Sequence, residues 1–159
     1  MPRRKTVVKK RDIGLDPLYQ SELVQRLINV VMKKGKKNVS RKIVYEALAM
    51  LTKKFGEGPK TLEAFQKAYD QILPLVEVRS RRVGGSVYQI PTEVSITRGR
   101  SLALRWLIKG AAARTDKTMG LRLGYELIDA CEGRGGAMKK RLDVHKMAEA
   151  NRAFSHYSW

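Results

Sequence analysis

The chain has 159 residues and a mass of 18.0 kDa, with 33 Lys and Arg against 15 Asp and Glu, a formal net charge of +18 and a pI near 10.3. That length suits one domain with a real core, and the charge repels itself unless a partner supplies anions, which puts nucleic acid first and an anionic membrane surface second. No apolar run is long enough to span a bilayer, the basic N-terminus lacks the apolar centre of a signal peptide, and the single Cys131 excludes an internal disulfide or a cysteine metal cluster, as suits a reducing compartment.

Residues 1–11, MPRRKTVVKKR, carry Arg3, Arg4, Lys5, Lys9, Lys10 and Arg11 and no acid. This reads as a tail that orders only on its ligand. From Ser21, the stripe Leu23, Val24, Leu27, Ile28 and Val31 predicts a helix, with Lys33 and Lys34 at its negative end and Gly35 as its stop. A second helix starts at Asn38 or Ser40, either a suitable cap, and runs through Val44, Leu48, Leu51 and Phe55 to Gly56. The third holds Leu62, Phe65, Tyr69 and Ile72 and ends before Pro74, since the residue ahead of a proline avoids the helical region.

Leu75–Val94 then reads LVEVRSRRVGGSVYQIPTEV. Gly84-Gly85 is the signal for a two-residue hairpin turn, and pairing about it sets Val83 against Ser86, Arg81 against Tyr88 and Val78 against Pro91. In that register Pro91 falls at a non-hydrogen-bonded pair, where its missing N–H costs the ladder nothing. Leu75, Val76, Val78, Ile90 and Val94 form an apolar base, with Arg79, Arg81 and Arg82 nearer the turn. A lone ribbon is marginal in water, so this apolar base should sit on helices, and at about 3.4 Å per residue the cationic end projects roughly 30 Å. A fourth helix starts between Ser95 and Gly99 and carries Leu102, Ala103, Trp106 and Leu107. The fifth starts near Asp116 and turns Leu123, Leu127, Ile128 and Cys131 inward; the sixth, after Gly135-Gly136, holds Met138, Val144, Met147 and Ala148. The expected fold is mainly α, a bundle of about six helices with one β-hairpin arm inserted between the third and fourth, a single domain over 1–159 ending in a C-terminal helix and tail over 137–159.

Catalysis finds little support. The only histidines are His145 and His156, and Cys131 lies on an inward stripe rather than in an exposed electropositive cleft. Gly35–Lys37 lacks the upstream glycine and following Ser or Thr of a P-loop, and the carboxylates are scattered on polar helical faces with no metal-ligand cluster. The basic residues, by contrast, gather. Besides tail and arm, Lys33, Lys34, Lys36, Lys37, Arg41 and Lys42 crowd the first inter-helix turn. Arg98, Arg100, Arg105 and Lys109 follow the fourth helix, with Arg114 after it, and Lys139, Lys140 and Arg141 open the sixth. A charge run is ordinarily a solvated face, but five clusters with few compensating acids argue for a polyanion. Tyr88, Tyr157 and Trp159 stand near the charges as aromatics suited to stacking on bases. A nucleoid-type architectural DNA-binding protein is the rival reading, with Pro91 as a wedge; Pro91 lies away from the tip, and anion contacts at five places suit a folded RNA junction better.

Four blocks, GKK with SRKIVYEAL (Gly35–Leu48), EVRSRRVGGSVYQIPTEV (Glu77–Val94), ALRWLIKGAAAR (Ala103–Arg114) and DVHKMAEANRAFSHY (Asp143–Tyr157), resemble bacterial-type small-subunit ribosomal protein seven over nearly the whole chain. The resemblance implies a structural, non-enzymatic primary binder of small-subunit rRNA that nucleates the head, or 3′ major domain, with no cofactor, membrane or small-molecule substrate. It implies rRNA contacts through the basic tail, Lys36, Lys37, Arg41, Arg79, Arg81 and Arg82, and through Lys117, Thr118 and Met119 at the start of the fifth helix. It turns Arg81, Arg82, Val83, Gly84, Gly85, Ser86, Arg152 and Tyr157 towards exit-site tRNA and the mRNA path, beside the ninth and eleventh small-subunit proteins, in a cytoplasmic or organellar ribosome. The chain departs from many relatives at SITRGR, where they have a proline and paired arginines, and at Ser158, where most bacterial relatives have Arg.

Overall fold

The computed structural model describes residues 12–157; the tail cations Arg3, Arg4, Lys5, Lys9, Lys10 and Arg11, and the terminal Ser158 and Trp159, lie outside the described residues. The elements are α1 (Glu22–Val31), α2 (Lys37–Phe55), α3 (Pro59–Ile72), β1 (Val76–Val83), β2 (Ser86–Glu93), α4 (Ile96–Ala112), α5 (Met119–Cys131), α6 (Gly136–Ala150) and a short 3-10 helix (Arg152–Tyr157). This is the expected helical bundle with one hairpin between the third and fourth helices, the 3-10 turn being an addition. None of these helices is long and apolar enough to cross a membrane.

The helical stripes close into one core. Val24, Leu27 and Ile28 of α1, Val44, Leu48 and Leu51 of α2, Phe65 and Ile72 of α3, Leu107 of α4, and Leu123 and Leu127 of α5 are sealed from solvent. The inward Cys131 is buried too, and its thiol donates to the Ala64 carbonyl at 3.1 Å. Burial pushes its pKa up, which keeps it a protonated core residue rather than a nucleophile. α5 sits at the centre, packed against α2, α3, α4 and α6. Small residues let it come close to α2: a side chain at Gly120 would strike Glu46, and one at Gly124 would strike Met50. Lys54 pairs with Glu132 further along. The three contacts run in step, so α2 and α5 point the same way.

Several boundaries differ from expectation, each for a local reason. Ser21 does cap α1, its side chain accepting from the Val24 amide, but the helix ends at Val31. Lys33, Lys34 and Gly35 instead form the turn, Lys34 and Gly35 both at positive φ. That turn swings the chain into α2 at Lys37 without a side-chain cap. Asn38 and Ser40 therefore fall inside the helix, where the buried Ser40 hydroxyl donates to the Lys37 carbonyl at 2.9 Å. α5 is capped by Thr118, whose hydroxyl accepts from the Leu121 amide, and not by Asp116. In the sixth helix Met138, Val144 and Ala148 are buried as expected, and only Met147, 45% exposed, falls off the inward face.

β1 and β2 pair antiparallel in the expected register, Val83 with Ser86, Arg81 with Tyr88 and Val78 with Pro91. Gly84 (φ 56°) and Gly85 (φ 91°) take the two left-handed positions of the turn. The apolar base sits on a helix, as expected, and the support reaches further along the arm than the base alone. Both strands lie against α6 and β2 also meets the 3-10 helix. Tyr88 packs its ring on Phe154 with centroids 5.1 Å apart, Ile90 is fully buried, and the Leu75 amide donates to His145 Nε2 at 3.3 Å. Burial, aided by the nearby Arg141 charge, pushes the His145 pKa down, which keeps the ring neutral and able to accept. Leu75 is exposed, unlike the rest of the base, because its backbone rather than its side chain makes the joint. What stands clear is the tip around Arg82–Val87.

Candidate nucleic-acid interface

The basic clusters do not merge into one surface. The acids decide which cations remain available. Asp16, Glu77 and Glu126 are buried, against the expectation that carboxylates decorate polar faces. Asp16 accepts from the Leu18 and Tyr19 amides, both at 3.1 Å, and from the Tyr45 hydroxyl, and so pins the segment before α1 onto α2. Glu77 accepts from Arg98 and Arg79, each at 2.6 Å, tying the base of the arm to the start of α4. Glu126 accepts from Arg114 Nε at 2.7 Å, whose other arm reaches Asp129.

Arg79, Arg98 and Arg114 are thus structural cations as well as candidates for RNA contact. Burial alone would lower the Arg114 pKa, but its bonds to Asp129 and Glu126 raise it above the ordinary value. At Glu77 burial favours the neutral acid; the hydrogen bonds from Arg98 and Arg79 outweigh it and hold the carboxyl below its usual 4.5. A depressed folded pKa gives stability that is complete above 4.5 and lost as pH falls through the folded value, because the unfolded chain then binds the proton first. The melting difference between wild type and Glu77→Gln should be full at about pH 6 and shrink as pH falls below 4.5 and through the depressed folded value. A difference that persisted in acid would mean that packing, not charge, holds this joint.

One large group of the cations left over gathers at one end of the bundle. Lys33, Lys34, Lys36, Lys37 and Lys42 in and after the first turn are exposed, as are Lys109 late on α4 and Lys117 just before α5. Arg41 is half-buried, and its Nε is enclosed without a hydrogen-bond partner. These elements meet around an apolar groove of about 370 Å³ walled by Val31, Val39, Ile43, Ile108, Ala112 and Met119, with Lys33 and Lys36 on its rim. α2 and α5 both begin here, and neither has an acid in its first turn. Helix dipoles place partial positive charge at both starts. α2 has no side chain capping its first amides, and Thr118, besides capping α5, donates to Glu46 at 2.9 Å.

The other candidates lie elsewhere. Arg100 shares a small polar pocket with Arg26 and Tyr69 beside α1, and a neighbouring groove joins Arg26 and Arg100 to Ile13. Arg105 is exposed midway along α4, its Nε donating to the Ser101 carbonyl. Lys139 and Lys140 are exposed on α6, but Arg141 faces Glu63 and Asp70 of α3. Arg152 stands with Glu93 and Glu149 beside the arm. Val83 is half-buried, while Arg82, Gly84, Gly85 and Ser86 are exposed at the tip. The sequence reading missed the groove walls. The one local signal was Val39, an apolar residue amid Lys36, Lys37, Arg41 and Lys42, which is 54% exposed. Among the described residues no group of His, Cys, Asp and Glu is placed to hold a metal ion.

The family model described as ribosomal protein S7p/S5e matches residues 2–152. The chain is 54% identical over 157 residues to the small ribosomal subunit protein uS7 of Pseudomonas syringae pv. syringae, covering 99% of each chain. It is 50% identical over 159 residues to that of Buchnera aphidicola subsp. Baizongia pistaciae, covering 100% of each. The uS7 of Azotobacter vinelandii is 54% identical over 157 residues, again with 99% of each chain covered.

Proposed function

The chain belongs to the S7p/S5e family of ribosomal proteins, a structural and non-enzymatic family, and from that premise we propose that it is a primary rRNA-binding protein of the small subunit that nucleates folding of the head. The observation that carries this reading is the convergence of exposed lysines on the starts of α2 and α5 at one end of the bundle. The uncapped start of α2, the start of α5 and a lysine-rich turn make an anion-binding surface formed from distant stretches of chain, suited to a folded RNA junction rather than a straight duplex. The arm tip and the Arg152–Tyr157 turn, held together through Tyr88 and Phe154, form a second region, assigned here to exit-site tRNA and the mRNA path. The ninth and eleventh small-subunit proteins are its proposed neighbours in a cytoplasmic ribosome.

Two transcripts test the first part, the 3′ major domain of small-subunit rRNA and its 5′ domain at equal salt. Selective binding of the first is expected, and in lysates the protein should sediment with small subunits. Equal affinity for both, or sedimentation with DNA, would return the nucleoid reading.

The arm carries its own prediction. Arg82→Ala should leave the melting curve within about 0.5 kcal/mol of wild type, as exposed substitutions do, while small subunits assembled with it release exit-site tRNA faster. Arg79→Ala should instead lower stability by about 0.5–1 kcal/mol, since it leaves Glu77 to Arg98 alone. Unaltered tRNA retention with Arg82→Ala would remove the tip from that role.

A further inference from the structure

The groove between the start of α2, the end of α4 and the start of α5 has a shape that phosphate binding alone does not explain. A surface meant only for backbone phosphates needs exposed cations, and an apolar cleft among them exposes surface to water at a cost. Val39 points from the first turn of α2 into this cleft and is 54% exposed. Nothing in the described fold covers it. Whatever fills the cleft must be apolar in its body and anionic at its edges, because Lys33 and Lys36 stand on the rim and the uncapped start of α2 opens beside it.

We propose that this groove receives one unstacked nucleobase from a looped or junction segment of the bound RNA, with the phosphates on either side of that base held by Lys33 and Lys36. The inference rests on the rRNA-binding reading above and specifies how one part of the surface works. A nucleotide combines a flat apolar face with charge a few bonds away, and bases leave the stack most readily where RNA is already single-stranded. The cleft volume of about 370 Å³ lies at the small end of ligand pockets, about 300–1,000 Å³. It suits a base with part of its ribose and is too small for a helix. Ser40, the one hydroxyl on its wall, already donates to the Lys37 carbonyl. That leaves the hydroxyl only as an acceptor on an otherwise apolar wall, so the walls grip a face more than they read an edge and the site discriminates little between bases.

The test uses the full chain and the 3′ major-domain transcript. Ala112 is exposed at the last residue of α4 and lines the groove, so Ala112→Trp fills the cleft without entering the core. Its affinity should fall about 5- to 150-fold, the range for one lost base contact, with the salt slope unchanged because no phosphate contact is removed. One nucleotide protected from base-modifying reagents by the wild type should become reactive with the variant, and exchanging that base for another should change wild-type affinity little. Val39→Asn, on the opposite wall and also exposed, should behave alike and guards against a folding artefact in the first variant. In assembled subunits a photoreactive residue at Val39 should cross-link to RNA. Wild-type affinity with an unaltered protection pattern in both variants, a loss that comes with a reduced salt slope, or a cross-link to protein would each overturn the base pocket while leaving rRNA binding in place. Failure of the wild type to bind the transcript would bring down the rRNA-binding reading itself, and this inference with it.

Discussion

Raising monovalent salt fourfold, from about 50 to 200 mM, is expected to weaken rRNA binding about 300- to 2,000-fold, on the basis of six phosphates held and a loss of about 0.7–0.9 log units per phosphate for each tenfold rise. The exposed cations around the groove, Lys33, Lys34, Lys36, Lys37, Lys42 and Lys117, supply that number without counting the tail or the arm. Released counterions, not direct bonds, then provide most of the affinity. Replacing Lys33, Lys34, Lys36 and Lys37 together with Gln should cut the slope by about 2.8–3.6. The melting temperature should hold or rise, because these side chains are exposed, make no ion pair among the described residues, and repel one another. Binding measured across a salt series checks both. A flat series would show that the affinity comes from contacts this surface does not supply.

Replacing Glu126 with alanine should lower the unfolding free energy by about 3 kcal/mol, the low end for breaking a buried ion pair because Arg114 keeps Asp129. Glu126 is 1% exposed and does two jobs. One oxygen takes the Arg114 guanidinium; the other accepts from the Ala137 amide at 2.8 Å, in the first turn of α6. It therefore serves as the cap that Gly135 cannot provide. The fit leaves no room for a side chain at position 110, where a Cβ would stand 2.6 Å from Glu126 Oε1. Glu126→Gln keeps the shape and an acceptor for the Ala137 amide and should cost less than the alanine change. Urea denaturation of both variants measures this, and a loss below about 1 kcal/mol for Glu126→Ala would show that α6 docks by its apolar contacts alone. Because α6 supports both strands, this variant should also loosen the arm.

What the sequence determined by itself was set by neighbours along the chain or by composition. The Gly84-Gly85 pair dictates its turn and hence the whole register of β1 and β2, since two positive-φ residues leave only one way to pair what flanks them. The helical stripes, the stops at Gly56 and Pro74, and the net charge of +18 are of the same kind. Tertiary structure decided which charges are used up and where those left over meet. Glu77 finds Arg98 across 21 residues, Thr118 finds Glu46 across 72, and Lys54 finds Glu132 across 78. No spacing along the chain encodes such partners. The arm illustrates the division. Its register is local, but its bracing depends on Phe154 and His145, which meet it only after α6 has folded back. The groove is equally non-local, with walls from α1, α2, α4 and α5. Each of its residues reads in sequence as one more apolar position on a helix. Only the parallel packing of α2 and α5, set by Gly120 and Gly124, leaves those residues facing an open cleft among lysines rather than the core.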